Sequence, residues 1–300
     1  MEDTQWVTEA RNPASMDLDQ RDSLGIVTLM NQEDARVAEA VRAELPKIAR
    51  AVDLIVERLS QGGRLLYFGA GTSGRLGILD ATECPPTFSA PPEQVQGFIA
   101  GGSAALTRSI EGAEDDMEAG MVAAREEARV SSRDAVVGIA ASGRTPWVIG
   151  ALRASREAGA LTIGLVCNPA TPIHQEVDIC IAPVPGPEVL TGSTRLKAGT
   201  AQKMVLNMLS TATMVRLGKV YSNLMVDVQP TNSKLRARAV RILKVAAGVE
   251  ETQARALLEA SGWEVKTALV MALAGVEAEE ARRRLAAAKG HVRRAVESKT

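Results

Sequence analysis

Histidine and cysteine are scarce in this chain: two histidines, His174 and His291, and three cysteines, Cys84, Cys167 and Cys180, among 300 residues. No CxxC pair occurs and the histidines form no ligand ladder with the cysteines. That excludes a structural zinc site or a disulfide framework and suits a reducing compartment. No run of about 20 apolar residues exists that could span a bilayer. The opening stretch, MEDTQWVTEARNPASMDLDQRD, is polar and acidic and lacks the apolar core of a signal peptide, so the expectation is a cytoplasmic protein without membrane contact. Charge of one sign is missing as well: 35 basic side chains are interspersed with 36 acidic ones, giving a net charge of -1. Such a balance offers no basic face to nucleic acid, and the expected partner is a small soluble molecule.

What the chain does contain is a series of apolar runs. LLYFG precedes a glycine loop, and VQGFIAGG (95–102), AVVGIAAS (135–142), ALTIGLVCN (160–168) and VDICIAPV (177–184) follow, most of them separated by segments of helical periodicity. Strands that are apolar throughout and alternate with helices predict an α/β fold, here a five-stranded doubly wound parallel sheet. Before the first strand, EDARVAEAVRAELPKIARAVDLIVERLSQGG reads as a helix pair interrupted at Pro46 and stopped at Gly62 and Gly63. A long helix is expected from about Thr194 through Gly218. From about Arg236 the composition turns to Ala, Arg and Glu, with short helices broken at Gly248, Gly262, Gly275 and Gly290. The expected division is therefore a sheet domain with N-terminal helices over 1–235 and a small helical module over 236–300.

Ligands on such sheets bind at the carboxyl ends of the strands. The first strand runs into GAGTSG, with Gly69, Gly71 and Gly74 spaced as GxGxxG. A dinucleotide site would also need an acidic residue at the end of the second strand, and that strand ends GFIAGGSAA. A P-loop would need GK[ST], and Arg75 stands in the lysine's place. What the loop holds instead are the hydroxyls of Thr72 and Ser73 beside Gly71 and Gly74 at a helix start, equipment that suits a phosphate monoester. The third strand repeats the device: ASGRTP places Ser142, Gly143 and Thr145 at the start of the next helix. Two loops sharing SGR point to a two-sided pocket for a phosphorylated small molecule. The bland alternative is a pair of tight turns with N-caps.

These loops resemble those of the sugar isomerase (SIS) domain family. With TEARNPAS near Thr8, GAGTSGRLGILDATECPPTFS from Gly69, EGAEDD from Glu111, ASGRTPWV from Ala141 and GSTRLKAGTAQKMVLNMLST from Gly192, the chain is similar to the N-acetylmuramic acid 6-phosphate etherase family. The tail ARALLEASGWEVKTALVMALAG resembles that family's small three-helix, ubiquitin-associated-type module. The resemblance implies cleavage of a lactyl ether to N-acetylglucosamine 6-phosphate and D-lactate in cell-wall sugar recycling, with no metal and no organic cofactor. It also implies two working carboxyl groups, Glu83 in DATECPPT and Glu114 in EGAEDD. On this reading Glu83 protonates the departing lactate and Glu114 removes the proton alpha to the open-chain aldehyde, with the division between them left open.

Taken without the resemblance, Glu114 lies in an acidic run of the kind that usually forms a solvated helix face. Cys84 has no histidine to activate it and reads as a small buried side chain, and His174 reads as structural. Ser193, Arg195 and Lys197 at the start of the long helix either reach the substrate's anionic groups or form a cap and a solvated face. A homodimer with the pocket near its interface is expected. A non-catalytic sugar-phosphate sensor and an aldose-ketose isomerase are the competing functions on such a domain.

Overall fold

The computed structural model describes residues 6–228, 230 and 232–298. The chain divides into two compact units, one of residues 1–82 and 93–210, the other of residues 83–92 and 211–300.

In the first unit α1 (Ser23–Asp34), α2 (Val37–Arg42) and α3 (Leu45–Ser60) precede the sheet. Pro46 starts a helix rather than interrupting one. It lies in the first turn of α3, where its missing N–H would have had no helical acceptor. Ile48, Ala51, Val52, Ile55 and Leu59 recur at three- and four-residue steps and give α3 one buried face. There follow β1 (Leu65–Gly69), α4 (Gly71–Phe88), β2 (Val95–Ile99), α5 (Met117–Val122), β3 (Ala135–Ile139), α6 (Pro146–Glu157), β4 (Leu161–Leu165), β5 (Ile179–Ile181) and α7 (Lys197–Arg216), with the last residues of α4 and α7 counted in the second unit.

The five strands are parallel in the order β2-β1-β3-β4-β5. The doubly wound α/β sheet is thus as expected from the apolar runs. β1 matches its run, whereas β2 to β5 are shorter than theirs, chiefly because the run continues into the loop beyond; Ala100 to Gly102, for example, leave β2 through two glycines of positive φ. The chain winds outward from β1 in one direction to β2 and in the other to β3, β4 and β5. The order reverses between β1 and β3, and a crevice opens there past their carboxyl ends.

Alternation along β1 sends Leu66 and Phe68 to one face, where they join Trp147, Val148 and Leu152 of α6 in a continuous apolar core. Phe68 stacks on Phe98 at 4.9 Å and meets Trp147 at 6.0 Å. On the opposite face the Tyr67 hydroxyl donates to Asp80 (2.8 Å), which also accepts from Asn207 Nδ2 (2.7 Å) and Ser210 Oγ (3.1 Å), linking α4 to α7. At the other end of the sheet Arg64 grips Asp134 through Nη2 (2.7 Å) and Nε (3.1 Å), joining the starts of β1 and β3.

In the second unit β6 (Val220–Tyr221) and β7 (Leu224–Met225) form an antiparallel ribbon, followed by α8 (Ser233–Ala247), α9 (Glu251–Ala260), α10 (Val265–Ala274), α11 (Ala278–Ala287) and α12 (Val292–Glu297). Leu243, Leu258, Leu269, Leu285 and Val292 contribute to its separate apolar core. Gly248 and Gly275 close α8 and α10 in the left-handed conformation that a helix C-terminus favours. Among the described residues no helix is long and apolar enough to cross a membrane.

Candidate active site

Three glycines fold the β1 loop. Gly71 has φ of +52°, while Gly69 and Gly74 approach each other so closely that a Cβ on Gly69 would lie 2.7 Å from the Gly74 nitrogen and one on Gly74 would lie 2.6 Å from the Gly69 oxygen. The result is a tight turn that presents Thr72 and Ser73 in the first turn of α4. At the β3 loop Gly143 takes φ of +67° against Thr171, which with His174 forms a reciprocal capping box. His174 is therefore structural: its Nδ1 accepts from the Thr171 N–H at 3.0 Å. Thr145 stands at the N-cap of α6 without its hydroxyl capping the helix, and Pro146 follows in the first turn.

Between the two loops lies a cavity of about 490 Å³ lined by residues of the first unit. Gly71, Thr72 and Ser73 border it from β1, Ser142 and Thr145 from β3, and Glu114 with Asp115 from the segment before α5. Glu114 is held there by its backbone, whose carbonyl accepts the Trp147 N–H of α6 at 3.0 Å. A second constraint keeps α5 against α6. Gly120 and Gly150 lie so close to the carbonyl oxygens of Trp147 and Met117 that neither could carry a Cβ without displacement. The exposed acidic segment thus has a fixed backbone position beside the start of α6.

The hydroxyls are not equally committed. Ser73, 8% exposed, donates to Gln202 Oε1 on α7 at 2.9 Å, and the Gln202 Nε2 is buried with no partner among the described residues. Turning that amide over would let Nε2 donate to the Ser73 oxygen, leaving the hydroxyl proton for a ligand. The Ser142 oxygen accepts from the Arg144 N–H at 3.2 Å.

Other residues singled out in the sequence lie elsewhere. Gly74 and Gly143 shape the loops without lining the cavity, and Ser193 does not line it either, although its neighbours Gly192 and Thr194 do. Glu83 is exposed and also absent from the lining. It lies ten residues beyond Ser73 in α4, which at about 1.5 Å per residue is roughly 15 Å along the helix. Both alternatives for Lys197, a substrate contact and a solvated face, are corrected: its side chain is wholly buried and its Nζ donates to Glu33 at 2.6 Å. The Glu33 carboxylate also accepts from Asn12 Nδ2 at 2.8 Å. Burial works against its charge, but Lys197 and Asn12 outweigh that and hold it below the ordinary carboxylate range.

The cavity also contains residues the sequence did not flag, among them Glu9 and Arg144. Glu9 belongs to a polar lead-in that reads as solvated chain. It is fixed by the buried neighbours Thr8 and Asn12, with the Thr8 N–H donating to Asn168 Oδ1 at 3.2 Å. The only sequence signal was TEARNPAS, which carried part of the resemblance but had no role assigned.

Among the described residues no cluster of His, Cys, Asp and Glu has metal-binding geometry. Cys84, Cys167 and Cys180 form no disulfide among the described residues, and burial pushes the Cys180 thiol up to about 12, far from a reactive thiolate.

Similarity to known proteins extends over nearly the whole chain. The glucokinase regulatory protein N-terminal SIS domain family matches residues 47–156, and the SIS domain family matches residues 117–212. The N-acetylmuramic acid 6-phosphate etherase of Serratia proteamaculans is 57% identical over 293 residues, covering 97% of both chains. The protein of the same name from Yersinia pestis is 55% identical over 290 residues, covering 97% of this chain and 98% of its own. Among solved structures, a phosphoheptose isomerase from Francisella tularensis aligns with 65% of this chain and 100% of its own at 17% identity and a TM-score of 0.49.

Proposed function

Because the chain belongs to the N-acetylmuramic acid 6-phosphate etherase family, we propose that it cleaves the D-lactyl ether of N-acetylmuramic acid 6-phosphate, giving N-acetylglucosamine 6-phosphate and D-lactate. The observation that carries this reading is a single cavity bordered by both hydroxyl-bearing loops and by Glu114. The phosphoryl group is held by Thr72, Ser73, Ser142 and Thr145 together with N–H groups at the starts of α4 and α6. In the open-chain sugar the aldehyde acidifies the hydrogen on C2. Glu114 takes that proton, the electron pair moves into the C2–C3 bond, and the C3–O bond breaks. A carboxylic acid supplies a proton to the departing lactate oxygen. Water then adds at C3, with C2 reprotonated, which restores a hydroxyl where the ether stood.

The second carboxyl group in this proposal is Glu83, contributed by another copy of the chain. Leu79, one helical turn before Glu83 on the same side of α4, is 50% exposed. An apolar side chain beside a carboxylate on an open helix face suits a homodimer contact that carries Glu83 to its partner's cavity.

Lactate release from N-acetylmuramic acid 6-phosphate tests the activity, since a sensor or an aldose-ketose isomerase releases none. Mixing tests the shared site. Glu83→Gln and Glu114→Gln chains, each inactive alone, regain about a quarter of wild-type activity on random subunit exchange if every site draws on two copies. No recovery despite exchange would place both carboxyl groups in one chain.

A further inference from the structure

The two SGR motifs place chemically identical side chains in different situations. The Arg75 guanidinium is occupied by protein, donating to the carbonyl oxygens of Leu106 (3.2 Å) and Arg108 (3.1 Å). Arg144 lines the cavity, and its guanidinium makes no hydrogen bond or ion pair among the described residues. Instead its central carbon lies 4.6 Å from the centre of the Trp6 ring. Stacking on an indole fixes the plane of a guanidinium while leaving its edge N–H donors open, and that edge matches a carboxylate through two parallel hydrogen bonds.

The Trp6 platform is itself built in. Glu9 N and Ala10 N donate to the Trp6 carbonyl at 3.0 and 3.1 Å, closing a turn. Asn168 then clips that turn to the β3 side of the cavity: its Nδ2 donates to Thr8 Oγ1 at 2.9 Å and to the Ala141 carbonyl at 3.2 Å. The charge balance points the same way. Glu9, Glu114 and Asp115 are acidic lining residues, and Arg144 is the basic one among the described lining residues. A substrate with an anion at each end has hydroxyls and helix N-termini for its phosphate. Its carboxylate would meet only acidic side chains unless Arg144 receives it.

We propose that Arg144, held flat by Trp6, binds the lactyl carboxylate and is the residue by which the site distinguishes the ether from its lactate-free product. The proposal rests on the etherase reading above. Its test compares the full-length wild type with Arg144→Gln, measuring KM and kcat for N-acetylmuramic acid 6-phosphate and the competitive inhibition constant of N-acetylglucosamine 6-phosphate. The expected result is a rise of about 10- to 100-fold in the substrate's KM, with the product's inhibition constant unchanged within about twofold. Arg144→Lys recovers only part of the loss, because an ammonium keeps the charge without the planar fork. Trp6→Leu, which frees the guanidinium but retains it, raises KM by about 3- to 10-fold in the same selective way. Equal losses for substrate and product would assign Arg144 to the phosphate or sugar that they share and overturn the proposal, as would no change in either. A wild-type chain that releases no lactate refutes the etherase reading itself and is distinguished before any variant is compared.

Discussion

Replacing Lys197 by Met tests whether the buried Asn12–Glu33–Lys197 network holds the first unit together. Lys197 and Glu33 have side-chain exposures of 0% and 3%, and their charged atoms are 2.6 Å apart. Methionine fills a similar volume, so the variant removes the charge without opening a large cavity. What remains is a carboxylate with Asn12 at 2.8 Å and the outer side chain of Arg36, itself 69% exposed, at 3.1 Å. Stranding one member of a buried pair costs about 3–5 kcal/mol. For a unit of this size that lowers the unfolding midpoint by about 6–20 °C, readable by calorimetry. In the double variant Glu33→Leu/Lys197→Met most of the loss returns, because no charge is left unpaired. The pH dependence gives a second readout. In the wild type the Glu33 pKa is depressed below the ordinary glutamate value, so its contribution is present above that pH and is lost as pH falls through the depressed value. Without Lys197, burial pushes that pKa upward. Stability in the single variant then rises as pH falls through the raised value, the opposite sign. A Lys197→Met midpoint within about 2 °C of wild type, with an unchanged acid limb, would refute the network's role.

Three further outcomes follow from the same geometry. Ser142→Ala and Thr145→Ala each weaken binding of inorganic phosphate and of substrate alike, by about 10-fold or more in KM and in the phosphate inhibition constant, because each removes a hydroxyl from the phosphate end. Gly120→Ala forces α5 away from the Trp147 carbonyl and carries Glu114 with it, so kcat for lactate release falls by about 100-fold in a chain whose circular dichroism stays native. Asp134→Asn lowers stability above pH 4 by about 1.5–3 kcal/mol, measured by urea unfolding. It also flattens the acid limb, since burial opposes the Asp134 charge but the hydrogen bonds from Arg64 and Ser131 hold its pKa below the ordinary aspartate value.

The sheet was legible because a strand buried on both faces must be apolar throughout, and each such run ended at residues that cannot continue it. The two glycine loops were legible for a related reason: Gly71 and Gly143 mark positive φ, and hydroxyls stand beside them at helix starts. Lys197 fits neither a substrate contact nor a solvated face, the two places a lysine near a helix start suggests; only the tertiary placement of Glu33, 164 residues away, reveals its burial. Pro46 gave a true signal with the wrong sign, since a proline begins a helix as readily as it ends one. The roles of Glu9 and Arg144 were hidden differently. Neither the Trp6 platform under Arg144 nor the Asn168 clip behind Glu9 has a local pattern, as both depend on contacts between segments far apart in the chain.

The cavity wall is assembled from five stretches, near residues 9, 70–73, 114–115, 139–146 and 192–194. No shorter portion of the chain contains them all, and each must be brought to the others before its contacts can offset the entropy of closing the intervening loops. A chain emerging from the ribosome therefore cannot complete this wall until residue 194 has cleared the exit tunnel and Lys197 has found Glu33, an acidic partner synthesised long before it. The hollow is finished late, so premature termination anywhere before that point leaves it without its last stretch.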